Sequence, residues 1–290
     1  MNIATSNKPL TVAIQGIAGC FHDAAAREYF GTHPITPLEC STFDSLSLKV
    51  ASGQADCGIM AIENTIAGPL LPCHELIVNN RLKIVGELKK RITHTIASLP
   101  DQQLDDIKCV LSHPMALMQC QEYLNSVDTP SWHAVEAFDT AGAAKMIADN
   151  CLKGHAAICP ELAAELYGLQ ILADGIETNK HNFTRFLIII SGENEFIHPE
   201  TTANKASVVF TLPHTGGALS KVLTILSFYD MNLTKIQSLP IIGREWEYRF
   251  YVDLTFDNLE RYHTAIDATR PLMGDFIELG LYRECSTPPV

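Results

Sequence analysis

Two apolar runs in this chain end in clusters of side chains that could do chemistry. In the first, His181-Asn182-Phe183-Thr184-Arg185 leads into Phe186-Leu187-Ile188-Ile189-Ile190. That run is apolar on both faces, as a strand is when its sheet is covered on both sides. Ligand-contacting groups of such sheets sit at strand ends, so the Thr184 hydroxyl and the Arg185 guanidinium are expected at the lip of a core strand. In the second, Asp56-Cys57-Gly58-Ile59-Met60-Ala61-Ile62 stops abruptly at Glu63-Asn64-Thr65. Asn64 and Thr65 would serve as caps of a following helix. That leaves Glu63 unexplained, and a strand end would point it into an inter-strand crevice. A third cluster is Ser112-His113 before Pro114, which opens a helix at its first turn. The His113 imidazole titrates near neutrality, which suits a general acid. Its place at a helix start suits a cap or a cleft wall equally well.

The elements that hold these groups alternate. A strand at 11–15 is followed by Gly16 and Gly19 and by a helix at 21–30 that Gly31 stops. A strand, a glycine turn and a helix N-terminus make an anion-friendly loop, although an ordinary βα turn has the same pattern. Thr42 or Asp44 caps a helix to Val50, closed by Gly53. Strands follow at 82–85, 107–111, 132–138 and 155–159, with Lys89-Lys90-Arg91 as a solvated patch at a crossover. Asp139-Thr140 caps a helix at 141–149, and Pro160 opens one to Tyr167. This alternation predicts a mainly parallel α/β sheet. The stretch 192–205 reads as a linker, with Gly192, Pro199 and Thr201-Thr202. Beyond it the rhythm becomes βαββαβ: 207–212, 218–229, 232–239, 246–254, 259–269 and 276–282. That is a ferredoxin-like unit. Its sheet buries one face under two helices and leaves a partly polar, partly aromatic face for a partner. The tail 286–290 is expected to fray.

Composition narrows the class. Hydrophobic content of 47% and charged content of 19% suit a folded soluble protein. No run of 18 apolar residues occurs, which argues against a membrane span, and residues 1–10 lack an apolar leader core. The nine cysteines include no C-x-x-C pair, so they read as reduced cytoplasmic thiols used as small hydrophobes. A net charge of −12 argues against nucleic acid. It also opposes any anionic substrate, unless helix N-termini and local basic groups offset it.

The motifs resemble one family, the prephenate dehydratases that carry a C-terminal ACT domain. The family's glycine-rich first loop resembles Gln15-Gly16-Ile17-Ala18-Gly19-Cys20-Phe21. Its Ile-Glu-Asn-Ser-x-x-Gly motif resembles Ile62 to Gly68. Its Ser-His-Pro-x-Ala-x-x-Gln-Cys motif is matched by Ser112 to Cys120, and its Asn-x-Thr-Arg-Phe motif by Asn182 to Phe186. Gly217-Ala218-Leu219 and Asn232-Leu233-Thr234-Lys235-Ile236 resemble its effector-domain motifs. The matches run in the family's order from about residue 11 to 283. There are two departures. Cys20 stands where the family has Thr or Ser, and a thiol is a poorer donor. Gln237-Ser238-Leu239-Pro240 stands where it has Glu-Ser-Arg-Pro, which bears on the strength of feedback by phenylalanine.

The resemblance implies a two-lobed α/β catalytic domain of the type II periplasmic-binding-protein-like class plus an α+β ferredoxin-like ACT domain (βαββαβ). Lobe one would hold about 8–90 and 178–191, lobe two about 91–177, and the ACT domain 206–285. It implies conversion of prephenate to phenylpyruvate with loss of water and carbon dioxide, with no metal or other cofactor. The family's catalytic threonine is Thr184, whose hydroxyl would hydrogen-bond the departing oxygen. Glu63 is the second catalytic candidate: a proton source, or, as the favoured role, an orienter of Asn64 and Arg185. Arg185 would grip a carboxylate bidentately or form a structural ion pair. The implied substrate contacts are Gly19, Cys20, Asn64, Thr65, Ser112, His113, Thr140, Asn182, Arg185 and Phe186. The implied phenylalanine site is Gly217, Ala218, Leu219, Ser220, Asn232, Leu233, Gln237, Ser238, Leu239 and Pro240, at an interface that makes a homodimer or homotetramer through the ACT domain. Arogenate dehydratase is the alternative within enzymes. A non-catalytic amino-acid sensor is the alternative outside them, and such a sensor would have no need of the Thr184 hydroxyl.

Overall fold

The computed structural model describes residues 2–3, 8–126, 132–192, 197–198, 202–241, 243–286 and 288. The expected linker and tail lie partly outside these residues. Lobe one starts with β1 (Leu10–Gln15), α1 (Phe21–Phe30), β2 (Ile35–Cys40), α2 (Phe43–Ala51), β3 (Cys57–Asn64), α3 (Leu71–Asn79) and β4 (Leu82–Arg91). Of the two expected caps, Thr42 and Asp44, Thr42 is the one used: it accepts from the Ser45 N–H. The chain then crosses into lobe two. There β5 (Thr95–Ser98), β6 (Cys109–Ser112), α4 (Pro114–Gln119), β7 (His133–Glu136), α5 (Thr140–Asp149), β8 (His155–Cys159), α6 (Glu161–Leu166) and β9 (Gln170–Ala173) build a five-stranded sheet of order β9-β5-β8-β6-β7. The chain crosses back as β10 (Phe183–Ser191), which inserts between β3 and β4. Lobe one thus has the order β2-β1-β3-β10-β4, with Gly68–Pro69 paired beside β3. No described helix is long and apolar enough to cross a membrane.

The sheets are mixed rather than mainly parallel. β10 runs antiparallel to both β3 and β4, and β5 antiparallel to β8 and β9. An alternating pattern of elements predicts parallel neighbours only while the chain stays in one lobe. A strand that enters from the other lobe arrives from the opposite end. β10 is also longer than its apolar run, so Thr184 and Arg185 are paired strand residues, opposite Asn64 and Glu63 on β3 and Lys90 and Lys89 on β4. Lys89-Lys90-Arg91 is accordingly the end of β4 and not a patch at a crossover. Lys90 pairs with Glu28 and Arg91 with Glu177.

Period-two alternation divides β10 between two cores. Phe186, Ile188 and Ile190 pack with Ala25, Ala26 and Phe30 of α1. Leu187 and Ile189 pack with Leu46 and Val50 of α2 and with Ile77 of α3. Each such buried side chain contributes about 1.5–3 kcal/mol. The second core continues into the C-terminal unit through Val209, Tyr251, Leu279 and Tyr282.

That unit comprises β11 (Lys205–Thr211), α7 (Ala218–Phe228), β12 (Asn232–Pro240), β13 (Tyr248–Thr255), α8 (Leu259–Thr269) and β14 (Phe276–Tyr282). Its antiparallel sheet has the order β12-β13-β11-β14, and Val208, Phe210, Val252 and Leu254 pack with Val222 and Tyr262 of its helices. The other face, expected to be open for a partner, is covered by the chain's own lobe one. Lys83 donates to the Glu278 carbonyl at 2.7 Å, and a Cβ at Gly280 would lie 1.9 Å from the Ile84 carbonyl oxygen. Only glycine permits that approach. Trp246, read as the start of β13, lies before it with φ +62°.

Candidate active site

A cavity of about 440 Å³ lies between the lobes. Gly16, Cys20, Phe21, His22, Asn64, Thr184 and Phe186 line it from lobe one, and His113, Met115, Gln119, Phe138, Asp139 and Thr140 from lobe two. His94, on the first crossing, joins them. Thr184 faces this cavity because it shares the β10 face of Phe186.

The Thr184 hydroxyl is fixed by one donor. Asn64 Nδ2 donates to Thr184 Oγ1 at 2.9 Å and to Asn182 Oδ1 at 2.8 Å. Asn64 Oδ1 accepts from the N–H groups of Ile66 and Ala67, so the amide cannot turn. With its oxygen accepting from Asn64, Thr184 keeps its own hydrogen to donate into the cleft. Asn182 Nδ2 donates to Gln119 Oε1 at 3.1 Å, and His94 Nε2 lies 3.0 Å from the same oxygen. An amide oxygen only accepts, so His94 carries its hydrogen on Nε2. A continuous polar chain therefore runs from β3 and β10 through Asn182 to α4 in lobe two.

The cavity is polar but nearly uncharged. Among the described residues no lysine or arginine lines it, and Asp139 supplies its one carboxylate. Burial holds His22 down at about 4, and its ring meets Phe186 edge-on at 5.1 Å. Burial also lowers His94, so both rings are neutral. Burial pushes the Cys20 thiol up to about 12, and its Sγ donates to the Gln15 carbonyl. It remains a neutral thiol at the N-terminus of α1. Asp139 Oδ1 caps α5 by accepting from the Ala141 N–H at 2.8 Å. His113 Nδ1 caps α4 by accepting from the Met115 N–H at 3.2 Å, which leaves Nε2 protonated. The N-termini of α1 and α5 both open on the cavity and supply partial positive charge there.

The structure brings Cys20, Asn64, His113, Thr140, Thr184 and Phe186 to the cavity and places the other candidates behind it. Gly19 packs on lobe two, where a Cβ would lie 2.9 Å from Ala163 Cα. Thr65 Oγ1 donates to the His181 carbonyl and accepts from the Phe183 N–H, stapling β3 to β10. Ser112 Oγ donates to the Ile158 carbonyl at 2.6 Å inside lobe two. Asn182 stands behind the cavity as the link to Gln119.

Of the roles expected for Glu63 and Arg185, orientation and a structural ion pair fit their placement outside the cavity lining: both side chains leave the opposite face of the sheet, because adjacent strand residues point in opposite directions. Arg185 donates from Nε to Glu87 at 2.7 Å, from Nη1 to Asp253 at 2.5 Å and to Glu63 at 3.2 Å, and from Nη2 to the Tyr282 hydroxyl at 3.1 Å. Burial alone would lower the guanidinium, but Asp253, Tyr282 and Glu87 raise it well above its ordinary value. Burial likewise works against Glu63 ionising, yet Lys235 and Arg185 hold its carboxyl below the ordinary range. A carboxylate so stabilised is a poor proton source. It orients Arg185 and is joined to Asn64 through the backbone.

Gln119, His94, Phe138 and Asp139 are residues of the cavity that sequence reading did not assign. Gln119 was findable: Pro114 starts a helix, and Met115, Ala116 and Gln119 then share one face. His94 lies on a crossing without periodicity and gave no signal. The expected effector residues divide between two ends of the C-terminal sheet. Leu239 and Pro240 pair with Arg249 and Tyr248, level with Thr211, from which the chain leads to Gly217–Ser220. Asn232 and Leu233 pair with Thr255 and Leu254, level with Lys205 and Ala206 at the other end. The ten therefore do not all meet at one end of the sheet.

A model of the prephenate dehydratase family matches residues 12–194. The chloroplastic arogenate dehydratase 5 of Arabidopsis thaliana is 37% identical over 298 residues, which cover 96% of this chain and 68% of that protein. Among solved structures, GqqA, described as a novel type of quorum quenching acylase, superposes with a TM-score of 0.85 at 29% identity, over 95% of this chain and 98% of that one. The prephenate dehydratase of Arthrobacter aurescens in complex with L-Phe superposes with a TM-score of 0.83 at 28% identity, over 97% and 92%. The two-lobed fold with a C-terminal unit is therefore shared along nearly the whole chain.

Proposed function

The chain belongs to the prephenate dehydratase family, and from that premise we propose that its inter-lobe cleft converts prephenate to phenylpyruvate. The observation that carries this reading is the Thr184 hydroxyl, whose oxygen is held by Asn64 and whose hydrogen is free for the cleft. As the ring C–O bond breaks, Thr184 donates a hydrogen bond to the departing oxygen, which leaves as water after taking up a proton from solvent. The ring carboxylate leaves as carbon dioxide, and the C–C electron pair completes the aromatic ring. One preorganised donor contributes roughly 3–4 kcal/mol. A lining without lysine or arginine suits this step. A guanidinium on the ring carboxylate would stabilise the charge that decarboxylation must remove. Partial charges at the α1 and α5 N-termini hold the anion with less ground-state stabilisation.

Arogenate carries an ammonium where prephenate has a keto group, and Asp139 is a carboxylate in the cavity lining able to face it. That observation favours arogenate as a second substrate. The C-terminal unit is an ACT domain in this reading, with phenylalanine as feedback effector at an interface with a second chain, in a homodimer or homotetramer. The L-Phe bound to the Arthrobacter protein supports it. The protein acts in the cytoplasm, consistent with free cysteines that are mostly buried. The test is incubation with prephenate and, separately, arogenate. Phenylpyruvate with equimolar carbon dioxide from prephenate is the expected result; no product from either substrate would overturn the assignment.

A further inference from the structure

The interface between lobe one and the C-terminal unit, apolar around Val209, Tyr251 and Leu279, also carries a buried ionic network. Lobe one contributes Glu63, Glu87 and Arg185; the C-terminal unit contributes Lys205, Lys235 and Asp253. Each cation meets a carboxylate across the boundary. Lys205 donates to both Glu87 oxygens at 3.0 Å, Lys235 donates to Glu63 Oε2, and Ser207 Oγ donates to Asp253 Oδ1 at 2.6 Å. Two of the lobe-one members, Glu63 and Arg185, adjoin the residues of the proposed catalytic pair, Asn64 and Thr184. The β3–β10 ladder is irregular here: Arg185 faces Glu63, but Phe186 faces Ala61, so Ile62 is an extra residue beside the pair. A bulge leaves local backbone geometry less constrained by the ladder. Side-chain anchors on either side of Asn64 then add to the bonds of its own amide in setting where it lies. Thr65 supplies one anchor and Glu63 the other.

We infer that Lys235 is a positioning residue for the reaction: by holding Glu63 from the C-terminal unit, it sets the Asn64 amide that orients the Thr184 hydroxyl. Lys235 lies on β12, the strand whose far end carries Gln237–Pro240, so a displacement of that strand reaches the cleft through one ion pair and one peptide unit. The coupling is to turnover and not to substrate affinity, because neither Lys235 nor Glu63 lines the cavity. This inference rests on the catalytic reading of Thr184, and the test separates the two.

The full-length K235M, K235R, E63Q and K235M/E63Q variants are assayed on prephenate and examined by amide hydrogen exchange. K235M is expected to lower kcat about tenfold with KM within about twofold, and K235R to restore most of the loss. The double variant should lose little more than either single one, since both remove one interaction. Exchange in peptides spanning 62–67 and 182–186 should quicken about tenfold in K235M, while peptides of lobe two stay as in the wild type. Unchanged exchange at 62–67 overturns the inference whether or not the wild type turns over prephenate. Losses of kcat that multiply in the double variant also overturn it. A wild type inactive on prephenate, with the exchange change present, overturns the assigned reaction and leaves the positioning intact. If K235M does not fold, E63D serves in its place: exchange at 62–67 as in the wild type would then overturn the inference.

Discussion

On one face of β10, Thr184 meets a neutral amide and a cavity whose described lining has no lysine or arginine; on the other, Arg185 is enclosed by Glu63, Glu87 and Asp253. One peptide bond separates the two environments. The back face uses full charges to join the C-terminal unit to the sheet. The front face uses hydrogen bonds, neutral histidines and helix ends. A cleft that must bind an anion and then discharge it gains nothing from a tight cation. An interface that must hold one geometry gains from charges that are costly to separate.

The contrast is most easily broken from the back. Arg185→Met leaves Glu87 and Asp253 buried with less compensation, and breaking such a network costs about 3–5 kcal/mol. The expected result is a markedly lower urea midpoint and a more exposed C-terminal unit; a midpoint equal to wild type would show that the network is not structural. From the front, Thr184→Val is nearly isosteric. It should lower kcat by roughly 10²–10³ with KM and the far-UV spectrum nearly unchanged. Near-normal turnover would remove Thr184 from the chemistry.

A third effect concerns pH. Burial holds His22 and His74 at about 4, below their ordinary value of 6.5. The unfolded chain takes up protons on these rings below about 6.5, while the folded chain does not until about 4. Stability is therefore complete above pH 6.5 and falls between 6.5 and 4, by up to roughly 3 kcal/mol for each ring. Asp253 and Glu63 have lowered values and lose their share only in more acidic solution. The urea midpoint should be lower at pH 5 than at pH 7.5, and His22→Phe should flatten the difference. Equal midpoints would mean that these rings are not buried neutral.

Much of the catalytic architecture was legible from local signals. Helix α2 begins after its Thr42 cap, α5 after its Asp139 cap, and the C-terminal βαββαβ order follows from its strand and helix rhythm. Polar Asn64 and Thr184 at the ends of apolar runs pointed to residues that meet in the inter-lobe cavity. Where the pattern was weak the reading failed. Ile35–Cys40 contains Pro37 and Glu39, and Thr95–Ser98 and Gln170–Ala173 are only four residues each. The helix Leu71–Asn79 has no side-chain cap to mark its start.

The sequence by itself determined which residues are able to donate, cap or pair, because those capacities belong to side-chain types and their spacing along one element. It also placed Thr184 and Arg185 next to each other on a buried strand. Only the tertiary structure decided that they serve different masters. Strand alternation sends them to opposite faces, but which face becomes a cleft and which an interface depends on what covers the sheet. That was settled by lobe two closing over one side and the C-terminal unit over the other, through contacts as distant in sequence as Arg185 with Asp253 and Glu63 with Lys235.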